Sequence, residues 1–277
     1  MSLPRIPLAG VIGSPIAHSK SPQVHGHWLR TNIIAGHYIP MDVAREDLER
    51  VIRTLPKMGF VGVNVTIPHK EAVMSIADLI TDRAILIGAA NTLIFRKDGK
   101  IHADNTDGYG FIENLKTGAP GWNPKAGPAA VLGAGGSSRA VIASLLDAGV
   151  PEIRVSNRTR VRAEKLKDDF GSRLRIYDWV QAGNMIDAAN LLVNTTSLGM
   201  LGKGELRVPL DGLGPKTVVT DLVYAPLKTK LLETAEEIGC VTVDGLGMLL
   251  HQAVPGFERW FGTRPAVDRA TRAAALR

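Results

Sequence analysis

One cysteine in 277 residues, Cys240, excludes an internal disulfide framework and a cysteine-based zinc cluster. Its setting, "GCVTVDG", suits a quiet buried thiol. No run approaches the roughly 18 consecutive apolar residues of a membrane helix, and the chain carries no internal repeat or low-complexity tract. The apolar "IPLAGVIG" contains Pro7 and runs into Gly-Ser-Pro, which suits a buried strand better than a signal peptide. A cytoplasmic location without membrane association is the expectation. Met1 to Leu3 are assigned no role.

What is present is ordinary core-forming material: 45% apolar and 22% charged residues, enough for two domains or one large α/β domain. The net charge of +6 is spread out, densest in "RVSNRTRVRAEKLK" with Arg154, Arg158, Arg160, Arg162, Lys165 and Lys167. A nucleic-acid groove, a solvated helix face and a pocket for a phosphorylated small molecule each account for such a patch.

Two regimes follow one another. From Leu8 to about Thr106, β-like runs ("LAGVIG", "GHYIPMDV", "GFVGVNVTIP", "NTLIFRKDGKIHADNT") alternate with helical patterns such as "REDLERVIRTLPKMG" and "HKEAVMSIADLI". "RKDGKI" reads as a hairpin turn on Asp98-Gly99. This is an α/β unit with a partly mixed sheet. After the Gly/Pro-rich "KTGAPGWNPKAGP", six continuous apolar strands with helices between them imply a parallel sheet covered on both faces. That suits a doubly wound Rossmann-type domain with its ligand at the strands' carboxyl ends. The tail from Met248 reads as helical, broken near Pro255, and free to return to the first unit.

"AAVLGAGGSSRAVIASLLDAGVPEIRVSNRT" is a complete βαβ unit whose glycines follow a strand and open a helix. Gly133 permits the tight turn, and Gly135 lets the backbone approach a pyrophosphate. Ser138 stands where a third glycine is usual, and Gly136 is extra. At the end of the next strand an NAD site offers an acid to the ribose hydroxyl. "SNRTR" offers none before Glu164, whereas Arg158 and Arg162 suit a 2′-phosphate. The expectation is NADP(H), which also accounts for the basic patch without nucleic acid.

On the other side, "IAHSKSPQVHGHW" reads as a helix start with Ser21 as N-cap and Pro22 first in the helix, which leaves Ser19 without a task. Lys70, in "NVTIPHKEAV", reads as lying in the first turn of a helix. It is either a solvated surface lysine or a proton-transfer group, whose neutral form a helix N-terminus and desolvation favour and a carboxylate opposes. Asp107, in "DNTDGYGF" at the junction of the regimes, is either a helix cap or that partner, since cofactor and substrate meet where domains join. Asn64 and Thr66 alternate along one strand and share a face, where polar groups need partners. Asn91 could shape a turn, Gln252 could be an exposed helix residue, and Tyr224 could be core. His25 and His27, two apart on a helix, point apart; with His18, His69 and His251 they form no credible metal cluster, and no metal is expected.

The ordered motifs "GSPIAHSKSP", "GVNVTIPHK", "GAANTL", "DNTDGYGF", "GAGGSSRA", "SNRT", "NTTSLGM", "DLVYAPLKTKLL" and "DGLGMLLHQA" make the chain similar to the shikimate dehydrogenases from about residue 8 to 262. That resemblance implies NADPH-dependent, reversible reduction of 3-dehydroshikimate to shikimate, on the route to aromatic amino acids. It implies Lys70 and Asp107 as the catalytic pair, with Lys70 protonating the carbonyl oxygen. Ser19 and Ser21 then bind the substrate carboxylate, and Asn64, Thr66, Asn91, Tyr224 and Gln252 hold the ring. Gly133, Ala134, Gly135, Gly136 and Ser137, then Asn157, Arg158, Thr159 and Arg162, with Leu222 and Gly245, line the cofactor site. Asp82 is a further carry-over near the hinge, and His69 an exposed neighbour of Lys70. The implied division is 1–105 with 246–277 for substrate and 106–245 for the dinucleotide, in a monomer or homodimer. Rival readings are a quinate/shikimate dehydrogenase using NAD, a folate-type dehydrogenase lacking the "SKSP" and "NTDG" set, and a catalytically idle NADP-binding sensor.

Overall fold

A computed structural model describes residues 6–277, so Met1 to Leu3 lie outside the described residues. In chain order the first elements are β1 (Leu8–Gly13), α1 (Ser21–Thr31), β2 (His37–Asp42), α2 (Leu48–Thr54) and β3 (Phe60–Val65). β4 (Leu79–Ile80), α3 (Asp82–Ile87), β5 (Thr92–Phe95) and β6 (Ile101–Asp104) come next. They are followed by α4 (Asp107–Gly118), β7 (Ala129–Leu132), α5 (Gly136–Asp147), β8 (Ile153–Ser156) and α6 (Arg160–Phe170). β9 (Leu174–Tyr177), β10 (Leu191–Asn194), β11 (Val218–Asp221), α7 (Lys230–Ile238), β12 (Val241–Val243), α8 (Leu246–Phe261) and α9 (Arg269–Ala275) complete the chain. Two compact units result, one running to Thr106 and resuming as Leu250–Arg277, the other Asp107–Leu249.

The first unit carries a mixed sheet in the order β2-β1-β3-β5-β6-β4. β1 pairs parallel with β2 and β3, as the crossovers through α1 and α2 require, while β3, β5 and β6 run antiparallel. The β5–β6 hairpin closes where Arg96 N–H donates to the Lys100 carbonyl at 3.0 Å. Pro40 lies in β2, an edge strand, where a missing N–H is tolerated. Ile12, Ile52, Val63 and Leu93 are fully buried in its core, each contributing about 2 kcal/mol of apolar burial. The C-terminal helices belong to this unit: Trp260 Nε1 donates to the Leu93 carbonyl at 3.1 Å, and Trp28 Nε1 to that of Ala266 at 3.0 Å.

Two local readings are corrected by the fold. "HKEAVMSIADLI" forms a single 3-10 turn, Ala72–Ser75, rather than an α-helix. Asp78 is drawn into the sheet: its N–H donates to the Ile101 carbonyl at 2.9 Å, and its carboxylate accepts from Ile101 N–H at 2.8 Å. α8, by contrast, runs unbroken through Pro255. The ring forgoes one intrahelical bond, but Ala253, Val254, Phe257 and Trp260 are buried on both sides of it and hold the helix.

The second unit is a six-stranded parallel sheet in the order β9-β8-β7-β10-β11-β12, with the strand order reversing at β7. Its central strands β7, β10 and β11 are buried throughout because both faces are covered. β7 shows how: Ala129 and Val131 join a core with Leu115, Ile142 and Leu145, while Ala130 and Leu132 join a separate one with Ile186, Leu231 and Leu232. The period of two divides one strand between two cores. Two crossovers differ from the expected helices. β9 leads to β10 through a 3-10 turn, Trp179–Gln181, and Met185, Ile186 and Leu213 plug that face from irregular segments. Cys240 is buried, its thiol donating to the Gly214 carbonyl at 3.3 Å.

Candidate active site

In the first unit, three residues marked by the sequence meet in one hydrogen-bonded network. Asn64 on β3 is 5% exposed; its Nδ2 donates to the Asn91 carbonyl at 3.1 Å and to Thr92 Oγ1 at 3.3 Å. Asn91 Nδ2 donates to Gln252 Oε1 on α8 at 3.0 Å, and its Oδ1 accepts from Thr106 N–H at 2.9 Å. Thr106 Oγ1 in turn donates to the Gln252 carbonyl at 2.8 Å. Buried amides persist in an apolar sheet only when so paired. Lys70 is tied in through its backbone, its carbonyl accepting from Ala90 N–H at 2.8 Å beside Asn91. Thr66 follows β3 half-buried, its N–H donating to the Ile12 carbonyl at 2.9 Å.

Three expectations about this half change. Lys70 lies in a turn ahead of a 3-10 turn, not in the first turn of an α-helix. His69 is fully buried rather than exposed, because its Nε2 donates to the Val43 carbonyl at 2.7 Å and anchors the loop that carries Lys70. Ser21 is not the N-cap of α1: Lys20 takes that position without a side-chain bond, and Ser21 and Pro22 open the helix. Ser19, read as idle, supplies the missing acceptor, its Oγ taking the Ser21 N–H at 3.3 Å.

Sequence reasoning missed two features of this half. Tyr38 donates to Asn64 Oδ1 at 2.7 Å. Asp104, fully buried at the end of β6, accepts from Arg83 Nε at 2.6 Å and Thr81 Oγ1 at 2.9 Å, with Arg259 of α8 at 3.3 Å. Burial pushes the Asp104 carboxyl up, but the Arg83 guanidinium, Thr81 and Arg259 outweigh it and hold it below the usual range. An acid closing the apolar "KIHAD" was the available signal. Asp82 is exposed in the first turn of α3, beside the Arg83 that grips Asp104.

In the second unit, Asp107 is the first residue of α4, where a carboxylate is electrostatically favoured. The glycine loop leaves the carboxyl end of β7, where the strand order reverses, the usual ligand position in such sheets. Gly133 has φ +112°, and a Cβ there would lie 2.5 Å from Thr195 Oγ1, so no other residue fits. At Gly135 and Gly136 a Cβ would meet open space, and Gly135, Gly136 and Ser137 are exposed beside the N-terminus of α5, with Ala134 half-buried behind them. Ser138 replaces the third glycine because its hydroxyl accepts from Gly135 N–H at 3.1 Å and bonds Thr195 Oγ1 at 2.6 Å.

Past β8, Asn157 Nδ2 donates to the Thr159 carbonyl at 2.8 Å and shapes the turn. Arg160 is engaged by Glu164 at 2.8 Å and Asp178 at 2.6 Å. Arg158 and Arg162 are exposed and form no ion pair with any described residue. An open backbone cradle with two unengaged guanidiniums fits a dinucleotide bearing an extra phosphate. Opposite in the sheet, a Cβ at Gly245 would lie 2.4 Å from the Leu222 carbonyl, so these backbones touch. Asp221, 1% exposed, fixes that strand end by accepting from Asn194 Nδ2 at 2.9 Å, Val223 N–H at 3.0 Å and Thr229 Oγ1 at 2.7 Å. Burial pushes its carboxyl up to about 6, against those donors. Tyr224 is half-buried, its phenol raised by burial.

A doubly wound unit with an open glycine loop at its switch point, followed and preceded in the chain by a smaller α/β unit with a buried amide network, defines the class of dinucleotide-dependent dehydrogenases. Family models match in three places: the shikimate dehydrogenase substrate binding domain over residues 11–93, shikimate / quinate 5-dehydrogenase over 123–201, and the shikimate 5′-dehydrogenase C-terminal domain over 245–275. The chain is 69% identical over 276 residues to the shikimate dehydrogenase (NADP(+)) of Roseobacter denitrificans, covering 100% of both, and 68% identical over 272 residues to that of Cereibacter sphaeroides, covering 98% of both. Among solved structures it resembles shikimate 5-dehydrogenase from Thermus thermophilus in complex with NADP(H) and shikimate, with TM-score 0.85 and 37% identity over 98% of both chains. It also resembles quinate dehydrogenase from Corynebacterium glutamicum in complex with NAD, with TM-score 0.90 and 31% identity over 98% of this chain and 99% of that one. The chain belongs to the shikimate dehydrogenase family. Among the described residues no helix is long and apolar enough to cross a membrane.

Proposed function

We propose that this enzyme catalyses the NADPH-dependent, reversible reduction of 3-dehydroshikimate to shikimate, a step toward chorismate and the aromatic amino acids. The observation that carries the reading is the network that gathers Asn64, Asn91 and Gln252 beside the backbone of Lys70. A polyhydroxylated ring needs several fixed donors and acceptors, and side-chain amides supply both. Ser19 and Ser21 at the start of α1 take the carboxylate; Thr66 and Tyr224 are assigned to ring hydroxyls.

Gly133 to Ser137 and Gly245 with Leu222 hold the dinucleotide, Asn157 to Thr159 with Arg162 its adenosine end, and Asp82 is an outlying neighbour of the site. When bound, NADPH supplies the hydride that adds to the ring carbonyl carbon. Lys70 donates the proton to the carbonyl oxygen, so the C=O bond becomes CH–OH; in reverse Lys70 takes that proton back. Asp107, next in the chain after Thr106, is the second member of the catalytic pair. A cytoplasmic location and a monomeric or homodimeric state belong to the same proposal.

The test is a spectrophotometric assay of shikimate and quinate, each with NADP+ and with NAD+. Shikimate with NADP+ is expected to give the highest kcat/KM. Preference for quinate with NAD+ sinks the specificity assigned here, and binding of NADPH without turnover of any pair sinks the enzymatic reading.

A further inference from the structure

Tyr38, on edge strand β2, belongs to no motif of the sequence, yet it is 8% exposed and central to the amide network. Its hydroxyl donates to Asn64 Oδ1 at 2.7 Å. A phenol has one proton, and here it is directed at Asn64. The Asn64 amide thereby acquires a fixed sense: Oδ1 meets the phenol, and Nδ2 donates to the Asn91 carbonyl and Thr92.

The phenol ring is itself clamped. His25 lies parallel to it, with centroids 3.8 Å apart and 6° between the planes. His25 lies in the first half of α1, which presents its ring to Tyr38. The imidazole is fully buried among Trp28, Phe257 and Trp260, and neither ring nitrogen has a partner. Buried polar atoms are seldom left so. Burial pushes its pKa down to about 3, so a flat, neutral ring lies against the phenol.

We propose that Tyr38 is a positioning residue for the substrate. With its proton directed at Asn64, it sets which atoms of that amide face a hydroxylated ring acid. The inference rests on the assignment of Asn64 as a substrate-binding residue.

The test compares wild type, Tyr38→Phe, Asn64→Ala and the double variant in steady-state kinetics, with Tm as the folding control. Phenylalanine keeps the ring and its stack on His25. Tyr38→Phe is expected to raise the shikimate KM about tenfold, the loss of one buried hydrogen bond, with kcat and the NADP+ KM within about twofold of wild type. The double variant is expected to match Asn64→Ala, because the phenol acts through the amide. If Asn64→Ala raises the shikimate KM and Tyr38→Phe does not, the role of Tyr38 is overturned and the substrate assignment stands. An unchanged KM in Asn64→Ala overturns that assignment and the inference with it. Parallel changes in both KM values with a lowered Tm reduce Tyr38 to a packing residue.

Discussion

Asn91 and Gln252, 161 positions apart in sequence, are joined side chain to side chain at 3.0 Å. This single bond ties the loop before β5 to α8, so the C-terminal helix is part of the substrate half rather than an appendage. Gln252→Ala removes the partner of Asn91 Nδ2, while Thr106 N–H at 2.9 Å and Thr92 Oγ1 at 3.0 Å still hold its oxygen end. The shikimate KM is expected to rise about tenfold, as when a polar site can no longer hydrogen-bond one substrate hydroxyl, with the NADP+ KM unchanged. A variant whose NADP+ KM moves while its shikimate KM stays would show that Gln252 serves the cofactor.

Lys70→Ala is expected to lower kcat about a thousandfold, the usual weight of a general acid, while calorimetry still detects shikimate binding within a few-fold of wild type. Near-normal turnover would assign the proton to another group.

Arg158→Ala and Arg162→Ala are each expected to raise the NADP+ KM about tenfold or more, the worth of a charge-assisted hydrogen bond to phosphate, and to leave the NAD+ KM alone. Arg160→Ala serves as the control, since Glu164 and Asp178 already engage its guanidinium. Equal loss with both dinucleotides would remove the 2′-phosphate assignment.

Asp221 makes a prediction about pH. Its folded-state value of about 6 lies above that of an unfolded carboxyl, because burial outweighs three hydrogen-bond donors. The folded state therefore holds this proton more tightly than the unfolded one. The resulting stabilisation is complete below about pH 4 and is lost as pH rises through about 6, a change of roughly 2–3 kcal/mol. Asp221→Asn has no proton to lose. Urea midpoints from pH 4 to 8 should show wild type losing stability relative to the variant across that window; a constant difference between the two would place the Asp221 value elsewhere.

The second unit was the more legible of the two. Its central strands, such as β7, are continuous apolar runs that need no partner's identity to be read, and Gly133 is dictated by a backbone angle. In the first unit the misreadings share a cause. "HKEAVMSIADLI" has a helical pattern, but the pairing of Asp78 with Ile101 lies 23 positions away and overrides it. Ser21 looks like a cap because Pro22 follows, yet Ser19 supplies the acceptor. His69 is surface-like by type and buried by the Val43 carbonyl, a partner 26 positions distant. Tyr38 lies in no motif, and Asp104 opens "DNTDGYGF" without a spacing that singles it out, since the significance of both lies in what they touch. Propensity and spacing report on neighbours in the chain, and these residues are defined by neighbours in space.

The division of β7 between two cores gives the second unit a degree of evolutionary freedom. Val131 answers to the helices on one side of the sheet and Leu132 to α7 and the irregular segments on the other. A lineage can therefore exchange residues in one layer, compensate within that layer, and leave the opposite layer and the loop that follows Leu132 undisturbed.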